Sequence, residues 1–411
     1  MTEGRRDKPK VLVVRPGSLD ANMMLYNNIS AIRSAGFEVV TVTWDVTGAP
    51  VTTRGAGLRG HVFRYNVYRS AISRLMGYLF WQFFLAGAIL RERPAVVHGM
   101  NSLSHMTILA LRPLLRYRVV MDFRDPMGLM LSGFPFPVPQ AATMYERACV
   151  RCSDFVMGCQ GDNDVMYDYL GRWALRGREL HNVVCVPNFR FPVESAPWRE
   201  DGRFVIHISG HISARRGAFL ALEAFAGHDR VVLEFVGDIP RQKGILDAIE
   251  ASPNAVYVGK IPHHQAIERM KGSSLIWLYY DISMKAVAIA SSCKMFEAMA
   301  VGRPYVTASG CWMGDVAERH GLGFTLPYGD AAGVRRLVDD LIAHPERLRE
   351  AGRRGRETYE RYYTWENARE PLMRIYGRLG EQVRGEADPT PPRRPSPPAD
   401  RRPHMTSRSG Q

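Results

Sequence analysis

The sequence predicts an α/β protein of two domains, each built on a parallel sheet with helices on its faces. Three observations carry this. Apolar runs of the buried-strand type alternate with helical patterns along most of the chain, which is the signature of βαβ units. The 411 residues are too many for one ordinary core and suit two. A proline-containing stretch without period, Asn188 to Gly202, separates two such alternating halves. The boundaries that follow are 1–195, 196–384 and a tail, 385–411.

In the first half, KVLVVR at Lys10 to Arg15 is a continuous apolar run of the kind found in strands buried on both faces. Pro16 to Asp20 is a loop, Ala21 to Ser34 a helix ending at Gly36, and FEVVTVTW a second strand. AVVHG, RVVMDF, DFVMGC and VVCVPN follow as further strands near Val97, Val120, Val156 and Val186. In the second half the strands are RFVIHISG ending at Gly210, VVLEFVGD, AVYVGK, SLIWLYY and RPYVTAS. A helix begins after the loop HISARRG, another at CKMFEAMAVG, and Asp330 caps a third. From Gly385 the chain changes character: seven prolines lie among arginines and serines between Pro389 and Pro403, a composition expected to stay disordered.

Composition narrows the class. Apolar residues make up 46% and charged residues 23%, the profile of a soluble globular protein. The first ten residues are polar, without the apolar core of a secretion signal. Six scattered cysteines make no disulfide framework, so a reducing cytoplasm is expected. The CxxC of Cys149 and Cys152 falls in a helical stretch and reads as structural thiols. Net charge is +13, yet the arginines are dispersed and no nucleic-acid-reading motif is present, so nucleic acid is not expected as a partner. A phosphorylated substrate or an anionic membrane surface fits better. LMGYLFWQFFLAGAIL, Leu75 to Leu90, lies between Arg74 and Arg91. It is short for a span of about 20 residues and Gln82 interrupts it. The reading is a buried or half-buried helix, with a helix resting on the membrane surface as the alternative.

Loops after strands of a parallel sheet line the ligand crevice. Gly17 lies in the first such loop, which lacks the GxGxxG of dinucleotide enzymes. In the second half, Gly210 and His211 are followed by Arg215, Arg216 and a helix start. Helix N-termini and arginine forks both favour phosphate oxygens. Ser291 and Ser292 enter the helix that carries Lys294 and Glu297, three apart on one face. The carboxylate suits ribose hydroxyls and the ammonium suits phosphate charge. Asp162-Asn163-Asp164 spells DxD, but at a helix start, where aspartates cap; no essential metal and no cofactor are expected.

These residues resemble the donor domain of family-4 glycosyltransferases, the retaining enzymes of the GT-B fold. The family pattern is met in order by Gly210, Arg216-Gly217, Val236-Gly237, then Lys294, Glu297-Ala298-Met299-Ala300, Gly302 and Pro304, and YYTWENA at Tyr362 resembles its closing motif. DANMMLYNNISAIRSAGFEVVTVTW, VVHGMNS, VPNF and Asp122-Phe123-Arg124-Asp125-Pro126 resemble first-domain motifs more loosely. The resemblance spans residues 10 to 380. It implies two facing Rossmann-like domains around a cleft and retaining transfer from a nucleotide-sugar donor. Arg216, Lys294 and Glu297 would be catalytic, and Gly17, Gly210, His211, Arg215, Ser291 and Ser292 donor-binding. Arg124 and Asp125 would face a small-molecule or lipid-linked acceptor, with contact at the inner membrane face. Two departures stand out. The family's first glutamate falls on Ile289, and Met127 replaces an acceptor-loop tryptophan. A nucleotide-sugar epimerase of the same fold and a non-catalytic basic binding protein are the alternatives.

Overall fold

The protein is described by a computed structural model covering residues 8–17, 23–46, 58–67, 70–159, 161, 163–189, 193–195, 197–199, 201–239 and 244–385. The proline-rich tail expected to be disordered lies outside the described residues, as does Asp162 of the DxD.

Seven parallel strands form the first sheet: β1 (Lys10–Arg15), β2 (Glu38–Asp45), β3 (Gly60–Arg64), β4 (Val96–Met100), β5 (Arg118–Phe123), β6 (Phe155–Gly158) and β7 (Leu180–Asn182), in the order β3-β2-β1-β4-β5-β6-β7. Six form the second: β8 (Phe204–His211), β9 (Val231–Asp238), β10 (Ala255–Gly259), β11 (Leu275–Leu278), β12 (Tyr305–Ala308) and β13 (Gly323–Leu326), in the order β10-β9-β8-β11-β12-β13. Each order reverses beside the first strand, between β1 and β4 and between β8 and β11. In open α/β sheets such reversals create the crevice at the carboxyl ends of the strands. The central strands are apolar throughout because helices cover both faces: Val11, Leu12, Val13 and Val14 are all fully buried.

The run near Val186 is not a strand. The seventh strand is Leu180–Asn182, and the ladder ends where the Val183 amide donates to the Gly158 carbonyl at 2.7 Å. Val183 and Val186 are buried all the same. The chain folds back on itself through a Val186 N–H to Val184 carbonyl bond and then meets Pro187, so the apolar pattern records burial without pairing.

The helix predicted around Leu75–Leu90 extends over Ala71–Glu92, 22 residues, capped by Ser70, whose hydroxyl accepts the Ser73 amide at 3.0 Å. One face packs on the sheet: Trp81 stacks on Trp44 at 5.6 Å and donates to Ser104 Oγ at 3.1 Å, with Leu85 and Ile89 beside it. The other face carries Ile72, Leu75, Leu79, Phe83 and Leu90 exposed to solvent.

The last helix, Glu370–Arg384, returns to the first domain. Leu372, Ile375, Tyr376 and Leu379 are fully buried in one core with Val11, Ile29 and Phe155. Tyr376 meets Phe37 edge-on at 5.6 Å, and its hydroxyl lies 2.7 Å from His98 Nδ1.

Candidate active site

At the reversal point of the second sheet, β8 and β9 end together with Gly210 opposite Gly237. A Cβ on Gly237 would lie 1.9 Å from the Gly210 carbonyl oxygen, so only glycine fits there. A Cβ on Gly210 would lie 3.6 Å from Lys294 Cε and 3.8 Å from Arg216 Nη1. Two cations thus converge on the floor of the strand end. A single 3-10 turn, Ala214–Arg216, leads to Gly217, whose φ of 72° and approach to the Tyr279 carbonyl admit no side chain. The helix Ala218–Ala224 follows. The Arg216 guanidinium sits 5.2 Å over the Tyr280 ring, which holds it without neutralising it. Arg215 turns instead to the Met284 sulfur, and His211 Nδ1 lies 3.4 Å from Asp238.

Lys294 and Glu297 share a face of the helix Cys293–Ala300, as their spacing predicts. Lys294 Nζ donates to Glu297 Oε2 at 2.8 Å, and His263 Nε2 lies 3.0 Å from Oε1. His263 is stacked on Phe189, 6.1 Å away and nearly parallel. Burial raises the Glu297 pKa, but Lys294 and His263 outweigh it and hold the carboxyl at about 2. The Lys294 ammonium, disfavoured by burial, is held above its ordinary value by Glu297. Nothing in the spacing of the sequence pointed to His263, which comes from another helix; only Pro262-His263-His264 at a helix start marks it.

The hydroxyls of the two serines are engaged within the protein. Ser292 caps the helix, its hydroxyl accepting the Lys294 amide at 3.3 Å. Ser291 donates to the Cys159 carbonyl at 2.6 Å, at the end of β6 in the first domain. The Gly161 amide donates to the Ile289 carbonyl at 3.2 Å across the same seam. Ile289 is buried with Met121, Phe123, Cys149 and Met166 of the first domain. These contacts bring the carboxyl edges of the two sheets together.

On the first-domain side, Asp122 at the end of β5 is fully buried. Its Oδ2 accepts from Asn28 Nδ2 at 3.2 Å and from Arg124 Nε and Nη2 at 3.0 and 2.7 Å, with His98 Nε2 at 3.2 Å. Burial opposes the Asp122 charge, and Arg124 with His98 more than restores it. Arg124 therefore folds inward as the partner of Asp122, while Asp125 is exposed and accepts from Asn101 Nδ2 at 3.3 Å. The loop after it is held by buried Glu146, which accepts from the Met127 amide at 2.9 Å, the Gly128 amide at 3.3 Å and the Tyr169 hydroxyl. Gly17 covers the Arg15 side chain: a Cβ on it would lie 3.1 Å from Nε. Among the described residues no group of three or more His, Cys, Asp or Glu side chains is placed to hold a metal.

Comparison with known families decides the class. Residues 21–188 match the family described as "Glycosyl transferase 4-like domain", and residues 180–374 match "Glycosyl transferase-like". The chain is a glycosyltransferase of the GT-B fold. Among solved structures, the glycosyltransferase is similar to sucrose-phosphate synthase from Thermosynechococcus elongatus, at a TM-score of 0.71 and 14% identity, over 92% of this chain and 100% of that one. It is also similar to HepE of Anabaena in complex with UDP and glucose (TM-score 0.67, 12% identity, 89% of this chain and 99% of that one). WaaG, a glycosyltransferase involved in lipopolysaccharide biosynthesis, aligns at 0.61 and 11% identity over 91% and 100% of the two chains. At these identities the likeness is one of fold. No curated protein matches the sequence. Neither the epimerase nor the non-catalytic binding protein gains support from these matches.

Proposed function

We propose that this glycosyltransferase transfers a sugar from a nucleoside-diphosphate donor with retention of anomeric configuration. The observation that carries the reading is the convergence of Arg216, Lys294 and Glu297 on the glycine floor at the end of β8. Arg216 and Lys294 are close enough together to share one diphosphate. Each oxygen of Glu297 receives one protein contact, and a carboxylate has about four lone-pair sites, so capacity remains for ribose hydroxyls. HepE of Anabaena, a neighbour in fold, has been solved with UDP and with UDP-glucose, which supports the same donor class here.

In this reading the acceptor oxygen bonds to the anomeric carbon as the bond from that carbon to the diphosphate oxygen breaks. The electron pair leaves with the diphosphate, and the acceptor proton goes to the departing oxygen on the same face. No carboxylate nucleophile is required, unlike in glycosidases with paired acids. Ile289, buried beside Met121 and Phe123, stands where the family has its first glutamate, so what that group does near the sugar falls to other residues here. Arg216 and Lys294 would stabilise charge that grows on the leaving group, so their effect belongs to the transition state. Nuclear magnetic resonance of the product, or of the sugar released by slow donor hydrolysis, tests the stereochemistry: retention is expected, and an inverted anomer rules the mechanism out.

The site of action belongs to the same proposal: the cytoplasmic membrane surface, with a small or lipid-linked acceptor and no nucleic acid. The exposed face of the helix Ala71–Glu92 supports it, with Phe83 76% and Ile72 75% exposed and Arg74, Arg91 and Arg93 at its ends. Each basic residue near an anionic leaflet adds about 1 kcal/mol. Sedimentation with anionic vesicles at low salt is expected to carry the protein down, and Leu79→Ser with Phe83→Ser to release it. A protein that stays in the supernatant would remove the membrane from the account.

A further inference from the structure

The first-domain wall of the cleft holds a cation that the donor reading leaves unused. Arg15 ends β1, the strand beside which the first sheet reverses, so its side chain stands at the carboxyl edge where ligands of such sheets bind. Its guanidinium is folded under Gly17, and Nη1 is buried with no hydrogen-bond partner. Leaving a buried cationic N–H unpaired costs more than leaving a neutral one.

Two nearby carboxylates attract the guanidinium, but neither bonds Nη1. Arg124 lies near and carries the same sign. Asp122 is engaged by Arg124, His98 and Asn28 through Oδ2, while its Oδ1 is buried without a partner and makes no bond to Arg15, and Asp125 is solvent-exposed beside Asn101. Burial first and Arg124 second depress the Arg15 pKa to about 10, against the pull of Asp122 and Asp125. The environment therefore favours an incoming anion over the isolated guanidinium. Arg124, which the sequence placed on the acceptor side, is bound to Asp122, whereas Nη1 of Arg15 on β1 has no partner.

We propose that Arg15 anchors an anion subsite on the first-domain wall and that this subsite receives a phosphate group carried by the acceptor. That the carrier is the acceptor rests on the glycosyl-transfer reading above; that the subsite takes a phosphate-class anion rests on Arg15 alone. The donor diphosphate has its own cations, Arg216 and Lys294, at the end of the other sheet. A phosphorylated acceptor would place its hydroxyl between the two edges, with one phosphate held by each domain. Arg15 would then select among acceptors, discriminating a phosphorylated one from its neutral analogue.

Calorimetric titration of inorganic phosphate into the full chain, with and without saturating UDP, tests this. UDP occupies the donor cations, so phosphate bound in its presence reports the second subsite. Arg15→Gln is expected to weaken that phosphate binding about tenfold or more, the loss of one charge-assisted hydrogen-bond donor, with UDP affinity unchanged. Arg15→Lys, which keeps the charge, is expected to retain part of it. If Arg15→Gln leaves phosphate affinity unchanged, or if the UDP-bound protein takes up no phosphate, the subsite does not exist. If Arg15→Gln weakens UDP itself, the guanidinium serves the donor and the acceptor assignment is overturned. Circular dichroism of both variants checks that the fold is kept. A wild-type protein that binds no nucleoside diphosphate would defeat the function proposed above, while the phosphate titration would still decide on Arg15.

Discussion

His105 shows how single side chains in this molecule are set by burial. It is fully buried, its Nδ1–H donates to the Asn101 carbonyl at 2.9 Å, and Nε2 has no partner. Burial first, with His98 adding to it, lowers its pKa from 6.5 to about 4. A group held neutral in this way binds a proton more readily when unfolded. Its contribution to stability is therefore complete above pH 6.5 and is lost as pH falls from 6.5 towards 4. The difference of about 2.5 pH units corresponds to about 3 kcal/mol at the acid end. Denaturant unfolding at pH 7 and pH 4.5 checks this: His105→Gln is expected to flatten the loss across that window, and an unchanged pH dependence would assign it to other groups. Glu297 behaves in the opposite chemical sense. Its carboxyl sits at about 2, so it remains ionised throughout this range and its part in stability is lost only as pH falls from about 4.5 towards 2.

At the scale of elements, periodicity and chemistry had different reach. The strands β1, β2, β4 to β6 and β8 to β12, the helix carrying Lys294 and Glu297, and the cap at Asp330 were legible, because each is a local pattern; the short strands β3, β7 and β13 and the cap at Ser292 were not. The stretch near Val186 misled, since its valines are buried without a partner strand. The helix Ala71–Glu92 was legible as a helix, but which aromatic faces inward was not, because Trp81, Phe83 and Phe84 span half a turn and only the tertiary fold selects among them. Trp81 is the core residue and Phe83 the exposed one. Trp81→Ala is accordingly expected to cost about 3–5 kcal/mol, the range for large aromatic deletions, measured by the urea midpoint. A cost under 1 kcal/mol would mean that the helix is not seated on Trp44 as described. His263 and the Asn28–Asp122–His98 cluster were hidden for a related reason: their members come from separate elements, and no spacing connects them.

Several contacts among the described residues join the two halves of the molecule, and two of them reach its functional edges. The seam at Ile289 and Ser291 brings the carboxyl edges of the sheets together, and the last helix carries Tyr376 back to His98. With Asp122 ionised, His98 Nε2–H donates to it and Nδ1 accepts from the Tyr376 hydroxyl, so a second-half residue completes a first-domain network. Tyr376→Phe is expected to lower stability by about 1–3 kcal/mol by leaving Nδ1 unpaired, without altering nucleotide affinity. Loss of nucleotide binding in that variant would show that the helix acts on the donor site as well. The central claim is that the end of β8, with Arg216, Lys294 and Glu297, is where a nucleoside diphosphate binds. Thermal unfolding of the wild-type protein and of Glu297→Gln across a panel of nucleoside diphosphates tests it most directly, because a ligand that binds only the folded state raises the melting temperature. The account predicts that at least one nucleoside diphosphate raises the wild-type midpoint by several degrees and that Glu297→Gln loses most of that rise while folding normally. No rise with any of the panel, or an equal rise in both proteins, would contradict it.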